Sequence, residues 1–104
     1  MFDFIKKLFS PEPQVDLKQL IREGAFLVDV RTPAEFQSGN VKGSVNIPLD
    51  TIPRQLEKFK GKKSVIVFCR SGNRSSQAKT ILQSAGISEV YNGGTWEQVK
   101  MLKA

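Results

Sequence analysis

No histidine occurs in these 104 residues, and cysteine occurs once. The first absence excludes a Cys-His pair and a Ser-His-Asp triad, and it removes the side chain most used to bind zinc and iron. The second excludes an intramolecular disulfide and an all-cysteine metal site, which makes a reducing cytoplasm the natural setting. No cofactor is implied. The apolar residues from Met1 to Phe9 are interrupted by Lys6 and Lys7, so they form neither a signal-peptide core nor a bilayer span. Ser10-Pro11-Glu12-Pro13 then reads as a stop and linker. Residues 1–13 are therefore expected to be an N-terminal amphipathic segment with a Pro-rich linker, and residues 14–104 a single domain. A short docked helix is the expectation for residues 1–9, with an interfacial helix resting on a membrane or a partner as the alternative.

Sixteen lysines and arginines against ten acidic residues leave a formal charge of +6. That balance favours anionic small molecules or acidic partner surfaces. It does not point to nucleic acid, because the lysines are scattered and the aromatics are not interleaved with them. Lys58, Lys60, Lys62 and Lys63 read as a solvated turn before a strand.

From Asp16 onward, short apolar runs alternate with capped helical segments. Asp16-Leu17-Lys18-Gln19 opens a short helix that Gly24 closes, and Ala25 to Val28 is a buried-strand run ending at Asp29. Thr32-Pro33-Ala34-Glu35 combines an N-cap, a proline at the first helical position and a glutamate at the third, and Gly39 ends that helix. A short strand is expected around Ser44 to Ile47, and a helix from Leu49 to Phe59 with Ile52, Leu56 and Phe59 on one face. Val65-Ile66-Val67-Phe68 is the next strand, and Ser75 to about Ser84 the next helix. Glu89 to Tyr91 is a last strand, Gly93-Gly94 a turn, and Thr95 with Gln98 the start of a terminal helix. Such alternation predicts an α/β fold with a central parallel sheet of four to five strands flanked by helices on both faces. Ligands bind beyond the carboxyl ends of the strands in such sheets. Asp29-Val30-Arg31 and Cys69-Arg70 both stand at such ends, so Asp29 or Arg31 could touch the cysteine loop.

Cys69 closes its apolar run and is followed by Arg70-Ser71-Gly72-Asn73-Arg74-Ser75. A buried cysteine can act simply as a small hydrophobe. Here the polar, glycine-containing sequel instead marks a strand-to-helix turn whose amides converge on an anion, where a thiol has a lowered pKa. Such a loop could hold an oxyanion beside a thiolate, or the outer sulfur of a persulfide. Four residues separate Cys69 from Arg74; cysteine phosphatases have five, usually with a histidine before the cysteine where this chain has Phe68. Expulsion of sulfite from thiosulfate needs little protonation, whereas phosphate-ester hydrolysis needs a general acid; Asp29 is the one plausible carboxyl near the site, and it reads chiefly as a structural acceptor for the loop. Both comparisons point to sulfur. Arg70 or Arg74 would add positive potential.

The chain closely resembles a single-domain rhodanese of the thiosulfate sulfurtransferase type over about residues 15 to 103. Four separated signatures carry the resemblance: Asp29-Val30-Arg31 with Glu35-Phe36; Gly39 to Pro48; Cys69 to Ser75; and Asn92-Gly93-Gly94 with Trp96. It differs where Asn40 and Lys42 stand at the usual His and Pro positions, in a segment that is mainly structural. The resemblance implies a transferase in which Cys69 is nucleophile and persulfide carrier, and in which the loop residues Arg70, Ser71, Gly72, Asn73, Arg74 and Ser75 bind the sulfane sulfur. Asp29 and Arg31 are then supporting residues that chiefly organise loop and fold. A small anionic donor such as thiosulfate and a thiol or protein acceptor follow. The alternatives are a non-catalytic interaction module on the same fold, or a cysteine phosphatase or arsenate reductase.

Overall fold

A computed structural model of the chain describes residues 15–103. The amphipathic segment expected over residues 1–13, and any membrane contact through residues 1–9, lie outside the described residues. Asp16 caps the first helix, α1 (Leu17–Arg22), through a 3.1 Å hydrogen bond from the Gln19 amide to Oδ1. Strand β1 (Phe26–Asp29) follows, then α2 (Pro33–Ser38), which has the complete Thr32/Glu35 capping box read from the sequence. Strand β2 is only Val45–Asn46. Strand β3 (Val65–Cys69), helix α3 (Asn73–Ser84), strand β4 (Val90–Thr95) and helix α4 (Trp96–Lys103) complete the chain.

The four strands form one parallel sheet in the order β2-β1-β3-β4. β3 is central and every one of its residues is buried, as its unbroken apolar run requires in a sheet covered on both faces. Alternation along the strands divides the core into two layers. Val28, Val30, Val65, Val67 and Cys69 pack with Ile52, Phe59, Ala78 and Leu82 on one face, whereas Leu27, Ile66 and Phe68 pack with Val99 and with the partly buried Leu17, Leu20 and Trp96 on the other. Helix α3 and the 3-10 turns therefore cover the first face, and α1 and α4 the second. Among the described residues, no helix is long and apolar enough to cross a membrane.

Three local expectations are revised. Leu49 to Phe59 is not one helix but two short 3-10 helices, Leu49–Arg54 and Leu56–Phe59. Pro53 supplies no amide for an α-helical ladder, and the chain breaks at Gln55; Ile52 and Phe59 are nonetheless buried as expected. Helix α3 starts at Asn73 rather than Ser75, because Gly72 takes a left-handed conformation (φ +93°) that turns the chain directly out of the strand. Finally, Gly93-Gly94 is no turn: β4 continues through both glycines to Thr95, with a register shift opposite Val67/Phe68. A Cβ on Gly93 would lie 2.8 Å from Val99 Cγ2 and 2.9 Å from Ile66 Cγ2, so its bare backbone is what lets α4 pack tightly across β4.

Candidate active site

The carboxyl end of β3 delivers Cys69 to the N-terminus of α3. Gly72 donates its amide to Cys69 Sγ at 3.0 Å and Ser75 does so at 3.4 Å, while Ser75 Oγ lies 3.5 Å from the sulfur. First-turn amides of a helix have no partner within the helix, so they remain free to face an anion. The residue is fully buried. Burial pushes the thiol up, but hydrogen bonds from the Ser75 hydroxyl and amide and from the Ser71 and Gly72 amides outweigh it, and the net shift is downward. This arrangement stabilises negative charge on sulfur without any imidazole. A Cβ on Gly72 would also meet Gly94 Cα at 3.6 Å, so the loop lies directly against β4.

Asn92, on β4, fastens that contact. Its Oδ1 accepts from Ser75 Oγ at 2.7 Å and from the Gly94 amide at 2.9 Å, and its Nδ2 donates to the Gly72 carbonyl at 3.1 Å. The expected last strand ended at Tyr91, which left Asn92 without an assigned place. Its only signal in the sequence was its place beside Gly93-Gly94 in the fourth signature.

The two loop arginines have different environments. Arg74 forms a bidentate pair with Glu35, Nη1 to Oε1 at 2.7 Å and Nη2 to Oε2 at 3.0 Å. Glu35 simultaneously accepts from the Thr32 amide and hydroxyl, so one carboxylate caps α2 and tethers α3. The Arg74 hydrogen bonds, helped by the Thr32 amide, lower the Glu35 pKa to about 2. Glu35 in turn raises that of Arg74. Glu35 stood in the sequence as a capping residue, and that local role gave no hint of its partner 39 residues away. Arg70, by contrast, is exposed and has no hydrogen bond or ion pair with any described residue. Ser71 and Asn73 are exposed at the loop surface.

Asp29 and Arg31 stand near the loop in sequence-pairing terms, since Asp29 is in register with Phe68. Their side chains are nevertheless not part of it. Val28 and Val30 share the face of Cys69, so Asp29 between them points to the other. There Arg31 Nε and Nη2 grip the Asp29 carboxylate at 2.7–2.9 Å, Nη2 also donates to the Gly39 carbonyl at 2.6 Å, and the guanidinium stacks over Trp96, 4.7 Å from the ring centroid. Both residues are buried. Asn46 Nδ2 bridges their two carbonyls at 3.0 and 2.9 Å, which ties β2 to the same brace. Asp29 accepts no hydrogen bond from residues 69–75, and Arg31 reaches none of them.

Comparison with known proteins gives a consistent picture. The sequence signature of the rhodanese-like domain matches residues 13–100. A sulfurtransferase of Allochromatium vinosum is 37% identical over 70 residues, covering 67% of this chain and 65% of that protein, so the chain spans just under two thirds of that relative. The thiosulfate sulfurtransferase PspE of Escherichia coli is 36% identical over 78 residues, covering 73% of this chain and 75% of the relative. Among solved structures, a rhodanese with anions from E. coli superposes with a TM-score of 0.66 at 34% identity, over 72% of this chain and 91% of that one.

Proposed function

This chain belongs to the rhodanese-like domain family, and on that premise we propose that it is a sulfurtransferase carrying sulfane sulfur as a Cys69 persulfide. The observation that carries the reading is the cradle of Gly72 and Ser75 amides closed on Cys69 Sγ. A thiolate there attacks the outer sulfur of thiosulfate; the S–S bond of the donor breaks, and its electron pair leaves with sulfite. The terminal sulfur then carries the negative charge, which in this reading the loop amides stabilise. A thiol or cyanide acceptor takes that sulfur and returns Cys69 as thiolate. No second cysteine exists in the chain to do so.

Arg70 is the substrate-facing cation of this reading, because Arg74 is already paired with Glu35. Asp29 and Arg31 support the fold at a distance from the sulfur. The relatives' names and the anions of the E. coli rhodanese structure agree with an anionic donor. A phosphatase fits less well: the Asp29 carboxylate is held by Arg31 on the other face of the sheet, and Glu35, the carboxyl beside the loop, is kept ionised by Arg74, so neither serves as a general acid. The domain so assigned occupies residues 14–104.

Intact-mass spectrometry after incubation with thiosulfate tests the proposal. The native protein is expected to gain one sulfur atom, and Cys69→Ala none. A folded native protein that gains no sulfur, or a Cys69→Ala variant that does, overturns it; the first result would favour a non-catalytic interaction module.

A further inference from the structure

We infer that the Ser75 hydroxyl is a two-position proton switch for Cys69, and that Asn92 is the positioning residue that contests its proton. The inference deepens the sulfur-carrier reading and rests on it. Ser75 Oγ lies 2.7 Å from Asn92 Oδ1 and 3.5 Å from Cys69 Sγ. A hydroxyl has one proton and cannot donate to both. The Asn92 amide is oriented independently by two backbone groups, the Gly94 amide at Oδ1 and the Gly72 carbonyl at Nδ2. Oδ1 is therefore the acceptor, and Ser75 the donor, in the shorter contact. In the longer one the sulfur must then donate, which describes the neutral thiol. Once Sγ loses its proton it can only accept, and the hydroxyl turns to it. Asn92 Oδ1 keeps the Gly94 amide meanwhile, so neither side chain is left without a partner in either position.

Discharge of the persulfide uses both positions. An acceptor thiolate attacks the outer sulfur of Cys69-S-S⁻; a new S–S bond forms, the old one breaks, and its electron pair goes to Sγ. Sγ carries little charge before that step, and the hydroxyl stays on Asn92. As the bond breaks, the hydroxyl turns to the sulfur. A donor recruited only as charge develops favours the transition state over the resting carrier.

No charged group around the sulfur hydrogen-bonds to the switch, and Arg74 acts on Cys69 only through its field. Arg74 of α3 is paired with Glu35 of α2, and Asp29 at the end of β1 is paired with Arg31 just beyond it on the opposite face. Arg70 of the loop, and Asp50 and Arg54 of the first 3-10 helix, are exposed. β4 (Val90–Thr95) carries no charged residue. None of these groups hydrogen-bonds to Ser75 or Asn92.

Because Cys69 is the only cysteine, the far-ultraviolet absorbance of its thiolate, with Cys69→Ala as blank, reads the switch in sulfur-free protein across pH. At a pH below the native midpoint, Ser75→Ala is expected to lower the thiolate fraction about tenfold, the weight of one hydrogen bond to a charged atom. Asn92→Ala, which removes the competing acceptor, is expected to raise it, and to have no effect when Ser75 is already alanine. An unchanged fraction in Ser75→Ala overturns the switch. So does an Asn92→Ala variant whose fraction is unchanged or lower, or one whose effect persists without the Ser75 hydroxyl. Asn92→Ala at an exposed side chain keeps the sign test open should Ser75→Ala fail to fold. The readout needs no sulfur donor. Failure to load from thiosulfate with this pattern intact would refute only the transferase reading, and loading without the pattern only the switch.

Discussion

Replacing Glu35 by glutamine isolates the tether between α2 and the cysteine-bearing turn. Glutamine at the third helical position still completes a capping box, so Thr32 keeps its partner, while the bidentate charge pair with Arg74 is lost. The drop of the Glu35 carboxyl from its ordinary 4.5 to about 2 sets an upper bound. At about 1.4 kcal/mol per pH unit, it corresponds to about 3 kcal/mol. Part of that comes from Thr32, and the pair is partly solvated, with side-chain exposures of 28% for Glu35 and 32% for Arg74. Fully exposed pairs are worth less than about 1 kcal/mol. The expected loss is therefore about 1–2 kcal/mol at neutral pH, read by urea denaturation. Its sign with pH follows from the lowered pKa: the carboxylate's contribution is complete above about 4.5 and disappears as pH falls toward about 2. Native protein and Glu35→Gln should converge at the acid end of that window. A difference that stays constant across it, or one below about 0.5 kcal/mol at neutral pH, would refute the reasoning.

Arg70→Ala is expected to slow sulfur uptake from thiosulfate, with a defect that shrinks as salt rises, because an exposed unpaired cation acts through screened attraction. Arg74→Ala should chiefly cost stability, since its charge is spent on Glu35; equal, salt-sensitive slowing by both in stopped-flow loading would contradict this division. Asp29→Asn should destabilise the protein by about 3–5 kcal/mol by leaving the buried Arg31 guanidinium uncompensated. The fraction that remains folded should take up one sulfur at the native rate, and a selective loss of uptake at full thermal stability would make Asp29 part of the chemistry.

The sequence by itself determined what short-range physics controls. Asp16 and Thr32 cap their helices as read, Val65 to Cys69 is the buried central strand, and alternating strands and helices imply the parallel sheet. The position of the sole cysteine at a strand-to-helix turn, with glycine three residues on, was legible for the same reason: turn chemistry is local. The tertiary structure alone decided which distant groups meet that turn. β4 runs through Gly93-Gly94 because Val99 and Ile66 close on a position that tolerates no side chain, and a single sequence does not show that partner surface. That extension brings Asn92 against Ser75. The reach of Arg74 to α2 makes Glu35 at once a cap and the counter-ion of Arg74. Register in the sheet aligns Asp29 with Phe68, so strand alternation sends its carboxylate to the face opposite Cys69. In each case the residue type was visible in the chain, and its partner was fixed only when the strands were laid side by side.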